Sequence, residues 1–204
     1  ALLDGTITLD SASNTVTNLA ASGTDAISFI NSGALNLSSV GATNGLSSTG
    51  AIDVATQTGD LTVSQNVSGT SIVLNAGKDT AAGTATGGNI IISSSPTFTA
   101  STGNTILYSG DISNSNDLTD LIVNGSGNFR YNSDETTTNF TNALSTTGVF
   151  AVYREQPSAT GTISSETITY GAANPSFSLI GGGGLVNGDS SSGLTIVGAA
   201  NSNA

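Results

Sequence analysis

Carboxylates are the only plentiful reactive groups in this chain: 14 Asp and Glu stand against 3 Lys and Arg, with no His, Cys, Met or Trp. Asp111, Asp117 and Asp120, with Asn114 and Asn116, form the densest oxygen cluster. Calcium takes six to eight oxygen ligands from such loops. The spacing matches neither an EF-hand loop nor a Gly-Gly-x-Gly-x-Asp nonapeptide. We therefore read the cluster as a solvated polar loop and expect no resident cofactor or metal, with calcium at these three residues as the weak exception. Without His or Cys there is no Ser-His-Asp triad, no thiol nucleophile and no imidazole or thiolate zinc site. Paired carboxylates can hydrolyse glycosides. A site for acidic sugars also needs cations, and Lys78 is the one cation outside the stretch that holds Arg130 and Arg154. We expect no enzyme.

Asp134-Glu135 beside Arg130, and Arg154 beside Glu155, read as local ion pairs of little worth if exposed. The net charge of −11 and a pI near 4.1 oppose nucleic acid and anionic membrane surfaces. No apolar run approaches the roughly 20 residues that cross a bilayer, so no membrane insertion is expected. The first ten residues carry no basic region and do not read as a signal peptide; Ala1 reads as a processed or truncated end.

What must position these groups is a chain of 204 residues in which Ser (31), Thr (30), Gly (26) and Asn (20) exceed half. Only 8% of residues are charged and 36% are hydrophobic, unlike a disordered chain. Small polar residues interleaved with Val, Ile and Leu favour strands and turns over helices. Short units recur: GTITL (5–9), DAISF (25–29), GALNL (33–37), GAIDV (50–54), GDLTV (59–63), TSIVL (70–74), GNIII (88–92) and GNTIL (103–107). Aligning Ile7, Ile27, Leu35, Ile52, Leu61, Ile72, Ile90 and Ile106 gives an imperfect period, from the high teens to about 20. Strands this short bury too little alone. Stacked as a β-solenoid they would build inward apolar ladders, with turns at dipeptides such as Asn44-Gly45, Asn124-Gly125 and Asn187-Gly188. A β-sandwich is the rival reading.

Composition changes near residue 97. Nine of the ten aromatics follow it, Phe29 being the exception. We expect an all-β chain with shaft repeats over 1–110, an aromatic closing region over 111–157, and a linker plus further β segment over 158–204. Pro157 and SATGTISS (158–165) read as the linker. Tyr108, Tyr131 and Tyr153 are the expected partner-binding residues. Thr-x-Thr pairs at 6/8, 15/17, 84/86, 97/99, 136/138 and 167/169 do not recur at the period, so they read as strand propensity rather than as a water-ordering face. Asn-x-Ser/Thr at Asn36, Asn66, Asn124 and Asn139 is expected by chance at this composition. Gly181 to Gly184 lacks the Lys and the helix of a phosphate loop.

The coils at 5–107 resemble the shaft of filamentous-haemagglutinin-like adhesins of the two-partner-secretion type. ILYSGDISNSNDLTDLIVNGSGNFRYNSDETTTNF (106–140) with GVFAVYREQP (148–157) resembles the segment closing such shafts. TITYGAANPSFSLIGGGGLVNGD (167–189) resembles the start of an MBG (mostly beta-grasp) module. The resemblance implies a right-handed parallel β-helix. It also implies a secreted, extracellular protein of a Gram-negative surface, exported by an outer-membrane transporter. Its ligand would be a host or bacterial surface glycan or protein. The secretion-signal domain of such proteins is not in this sequence, and the MBG-like segment is partial. The function expected is a rigid shaft that projects a binding region. The alternative is a structural subunit that pairs with copies of itself in a filament or matrix fibre by β-strand addition.

Overall fold

The structure is a computed structural model and describes residues 2, 3, 5–167, 169, 171–173 and 178–189. The chain divides into two units, Ala1–Gln156 and Pro157–Ala204.

In the first unit the strands are β1 (Leu2–Leu3), β2 (Ile7–Leu9), β3 (Asn18–Leu19), β4 (Ala21–Gly23), β5 (Ile27–Asn31), β6 (Leu35–Leu37), β7 (Ser39–Val40), β8 (Thr43–Asn44) and β9 (Leu46–Ser48). There follow β10 (Ile52–Thr56), β11 (Leu61–Val63), β12 (Val67–Gly69), β13 (Ile72–Ala76), β14 (Ile90–Ile92), β15 (Phe98–Ala100), β16 (Asn104–Ser109), α1 (Leu118–Ile122), β17 (Phe129–Arg130) and β18 (Gly148–Tyr153). Apart from the β7–β8 hairpin, these strands make three parallel sheets. Their orders are β1-β4-β9-β12-β15, β17-β18-β16-β13-β10-β5-β2 and β14-β11-β6-β3. Successive strands visit the three sheets in rotation: β4, β5, β6, then β9, β10, β11, then β12, β13, β14.

Alternation along each strand decides what is buried. In the seven-stranded sheet Ile7, Ile27, Ile52 and Ile72 form one inward column. Phe29, Val54, Leu74, Leu107 and Ala151 form the next, and Leu9 continues their register at the edge strand, where it is exposed. Leu35, Leu61 and Ile90 align in the four-stranded sheet, and Ala21, Leu46, Val67 and Phe98 in the five-stranded one. These columns meet as one apolar core. The residues aligned by sequence thus divide between two sheets. One is displaced: Thr105, not Ile106, continues the column of Ile72, and Ile106 pairs with Val73 on the outer face. The register steps along that column are 20, 25, 20 and 33 residues, because the corners hold insertions of unequal length.

The corner after the seven-stranded sheet carries buried polar residues. Asn31 Nδ2 donates to the carbonyls of Val16, Gly33 and Ala34, and its Oδ1 accepts from Val16 N. One rung on, Thr56 Oγ1 donates to Gly59 O (2.8 Å) and accepts from Gly77 N (3.1 Å). Such groups satisfy turn backbone that lies too deep for solvent.

In the second unit β19 (Thr160–Ile163) pairs antiparallel with β20 (Leu179–Gly183). The stretch expected as a linker therefore contains a strand. Tyr170 and the Asn174-Pro175 pair, which the MBG resemblance uses, lie outside the described residues.

Candidate functional sites in the closing region

Between β16 and β18 the chain makes one long excursion, and most of the candidate residues lie on it. Helix α1 buries Leu118 and Ile122 against β14 and β18, and Asn116 O accepts from Ile92 N (3.0 Å). The helix therefore lies beside β14, the last strand of the four-stranded sheet.

The three candidate metal residues do separate work. Asp111 Oδ1 accepts from Ser113 Oγ (2.6 Å) and Asn114 N (2.8 Å), which closes a local turn. The Ser113 hydroxyl leads the causes that hold the Asp111 carboxyl below its ordinary pKa. Asp117 has left-handed backbone (φ 58°) at the start of α1, and Asp120 lies in its first turn. Both line a cleft of about 330 Å³ between α1 and Ser94–Pro96. Among the described residues, no three or more Asp or Glu are arranged to hold a metal ion.

The tyrosines divide differently from expectation. Tyr153 is 0% exposed, so it presents nothing to a partner, and its reading as a binding residue is corrected. The cause is the period of two in β18, which sends Ala151 and Tyr153 into the core. Its ring stacks between Phe129 (centroids 6.4 Å apart, 16°) and Tyr131 (5.9 Å, 12°), a preferred offset geometry. Tyr131 is half-buried in that stack. Tyr108 is half-buried on the outer face of its sheet, in register with Asn75 and Val152. Burial raises the pKa of its hydroxyl, and the negative charges of Glu135, Asp134 and Asp53 add to that.

Neither expected ion pair forms. Arg130 Nη1 donates to Gly127 O (2.7 Å) and Phe129 O (2.8 Å), its Nε donates to Asn142 O (3.1 Å), and its guanidinium lies 5.3 Å over the Phe140 ring. Glu155 Oε2 accepts from Ile112 N (2.7 Å). Arg154 turns the other way and is 0% exposed. Its Nη2 donates to Gly88 O (2.8 Å) and Thr86 O (3.2 Å). A Cβ on Gly77 or Gly110 would stand 2.9 or 3.1 Å from that atom, so both glycines leave the room it occupies. Among the described residues, Arg154 Nε and Nη1 find no hydrogen-bond partner. Burial lowers its pKa, and the charges of Glu135 and Asp134 partly restore it.

Those two carboxylates tie the loop after β13 to the loop after β17. Asp134 Oδ2 accepts from Ala82 N (2.8 Å), and its Oδ1 accepts from Thr136 N (2.7 Å), Thr136 Oγ1 (2.8 Å) and Thr137 N (2.5 Å). Glu135 Oε1 accepts from Asp79 N (2.6 Å) and lies 4.0 Å from Lys78 Nζ. Burial alone would raise the Asp134 pKa, but the bonds from Thr136, Ala82 and Thr137 outweigh it and bring it to about 2. A carboxylate depressed on folding stabilises fully above its unfolded pKa, about 3.9, and loses that stabilisation as pH falls toward the folded value. The urea midpoint should therefore drop between pH 4 and pH 2. Asp134→Asn should lower the midpoint at pH 5 and flatten the drop. An unchanged slope in that variant would remove Asp134 as its source.

One arrangement escaped sequence reasoning. In the five-stranded sheet Ser22, Ser47, Ser68 and Thr99 stand in register. Counting Ser and Thr as one class would have found it, since Ser/Thr-x-Ser/Thr recurs at 22/24, 47/49, 68/70 and 99/101.

No protein family, curated protein or solved structure matches the chain.

Proposed function

We propose that residues 1–156 are a right-handed parallel β-helix, the shaft of a non-enzymatic extracellular adhesin on a Gram-negative surface, exported through an outer-membrane transporter. The observation that carries this reading is the rotation of successive short strands through three parallel sheets with apolar columns in register. Each rung then contacts mainly its neighbours, and stability accumulates along the axis. A stiff body of this kind projects a binding surface and needs no reactive centre. The carboxylates that could have served chemistry, Asp111, Asp134, Glu135 and Glu155, each accept bonds from loop backbone. The position of α1 beside β14 weighs against growth of that sheet by strand addition.

Specific contacts would come from the closing region, through Tyr108 and Tyr131 and the cleft that holds Asp117 and Asp120. A screen of immobilised chain against surface glycans and whole cells tests the reading. Tyr108→Ala is expected to weaken binding by about tenfold, the size of a minor hot spot (~1.4 kcal/mol). Retention of binding by a folded Tyr108→Ala, Tyr131→Ala double variant would remove both tyrosines from the contact surface. Light scattering with negative-stain images decides against the filament: we expect monodisperse particles at every concentration. Regular fibres would transfer the reading to a self-assembling subunit.

A further inference from the structure

Asn-Gly occurs three times, twice in the first unit, at Asn44-Gly45 and Asn124-Gly125. The fold treats these two pairs differently. In an Asn-Gly pair the backbone nitrogen of the glycine can attack the side-chain carbonyl carbon of the asparagine, since no Cβ obstructs the approach. The attack needs a nitrogen free of hydrogen bonds and a peptide able to turn toward the side chain.

Asn44-Gly45 meets neither condition. Asn44 lies in β8, paired with Ser39 of β7. Gly45 N donates to Ser38 O (2.9 Å), and Gly45 O accepts from Ala21 N (3.0 Å). Gly45 is buried, and a Cβ there would stand 2.1 Å from the Asn66 carbonyl oxygen of the adjacent rung. Asn124-Gly125 meets both conditions. It lies in the turn between α1 and β17, where every residue from Val123 to Gly127 is exposed. Ser126 N donates to Val123 O (3.1 Å), which makes Asn124 and Gly125 the two central residues of that turn. Gly125 has φ 75°, as the third position of a type II turn requires. Among the described residues, neither the Asn124 side chain nor Gly125 N has a hydrogen-bond partner.

We propose that Asn124 is a self-modifying site, converted to aspartate and isoaspartate by its own backbone with water as the co-reactant. Gly125 N gives its proton to solvent base and bonds to Asn124 Cγ. The side-chain nitrogen takes a proton from solvent and leaves as ammonia, and a five-membered succinimide remains. Water then opens the ring. Addition at Cγ breaks the new Cγ–N bond and leaves aspartate. Addition at the backbone carbonyl carbon breaks the original peptide bond and leaves isoaspartate, whose main chain runs through the side-chain carbons. Nothing is oxidised or reduced. The net charge falls by one, from −11 to −12, and the isoaspartyl form lengthens the turn by one carbon. Ile122 before the turn and Phe129 after it are both buried, and Phe129 is stacked on Tyr153, so the change stays within the turn. The closing region thus has a fresh form and an aged form that differ at one exposed point. The inference rests on this turn alone and stands apart from the adhesin reading.

The test is ageing of the full 204-residue chain in mildly alkaline buffer at body temperature, with an unaged sample as the baseline. After denaturation, trypsin cuts behind Lys78, Arg130 and Arg154, so Asn44 and Asn124 fall on separate peptides, 1–78 and 79–130. Mass spectrometry reads the replacement of NH2 by OH on each. We expect Asn124 to convert at least about tenfold faster than Asn44, which reacts only when its strand ladder opens. In the urea-unfolded chain the two should convert at similar rates. Isoaspartate should accompany aspartate, read by an isoaspartyl methyltransferase. Asn124→Gln should lose the first acidic species seen in ion exchange, with melting unchanged. Equal rates at the two sites in the folded chain overturn the proposal. So does an Asn124 that stays intact when folded but reacts when unfolded. Aspartate without isoaspartate overturns it too, because direct hydrolysis of the side chain gives aspartate alone.

Discussion

Gly88→Ala is expected to destabilise the first unit by about 3 kcal/mol, a large effect for one methyl group. A Cβ at this position would stand 2.1 Å from the Gly59 carbonyl oxygen and 2.7 Å from its carbon. Both are backbone atoms of the adjacent rung, so no rotamer change makes room. That rung is held close, because Gly59 N donates to Gly87 O at 2.6 Å. The backbone of Gly88 is at φ 154°, where a side chain is strained whatever the space. The same residue is the anchor of the buried arginine: Gly88 O accepts from Gly110 N (3.0 Å) and Arg154 Nη2 (2.8 Å). Parting the rungs to admit a methyl would therefore also pull at the one guanidinium held in the interior. Urea unfolding reads the loss as a fall in midpoint. Gly33→Ala is the control, since nothing lies within 4 Å of its Cβ position, and it should stay within about 0.5 kcal/mol. Equal midpoints for the two variants would mean that the rungs do not approach as described.

Leu74→Ala is the second large effect, about 3 kcal/mol. Leu74 is 0% exposed and lies between Val54 and Leu107 in its column. Flanking strands fix its neighbours on both sides, so the space left by its side chain cannot close by a local shift. Its sequence neighbour Val73 faces out and is half-buried. Val73→Ala should cost about 1 kcal/mol or less. The contrast between adjacent residues is the informative measurement: comparable costs would place both on equally buried faces and contradict the alternation of β13.

Residues 72 and 73 also show how far the sequence could be read. The column Ile7, Ile27, Ile52, Ile72 was legible because each unit opens after a turn with the same β-branched residue. The next step was misread by one position. Strand β16 begins at Asn104 and is six residues long, so the isoleucine of GNTIL is its third residue rather than its first. Leu35, Leu61 and Ile90 looked like members of the same series. Periodicity in one dimension does not tell two columns of one core apart when both carry branched apolar residues. The aromatic closing region was legible as a change of composition, but not which rings face inward. Tyr153 follows from the phase of β18, and that phase is set by pairing with β16 over Asn104–Ser109, a contact across a long excursion. Arg154 was least legible. Adjacency to Glu155 suggested an exposed pair, whereas just past the end of β18 the two side chains turn to different partners, Gly88 O and Ile112 N. Its burial depends on two glycines, Gly77 and Gly110, far away in sequence.

The unequal register steps along the isoleucine column carry a consequence for how such a chain can change. A corner insertion costs closure entropy that grows only with the logarithm of its length, about 0.6 kcal/mol for each doubling. The strands on either side keep their neighbours whatever hangs between them. The stretch between β13 and β14 is already such an appendage, stitched down afterwards by Asp134 and Glu135. The corners are therefore where foreign sequence can be grafted, or new surface acquired by descent, with the ladder of rungs left intact. Within a strand, adding or removing a single residue would turn the rest of that strand's side chains inside out.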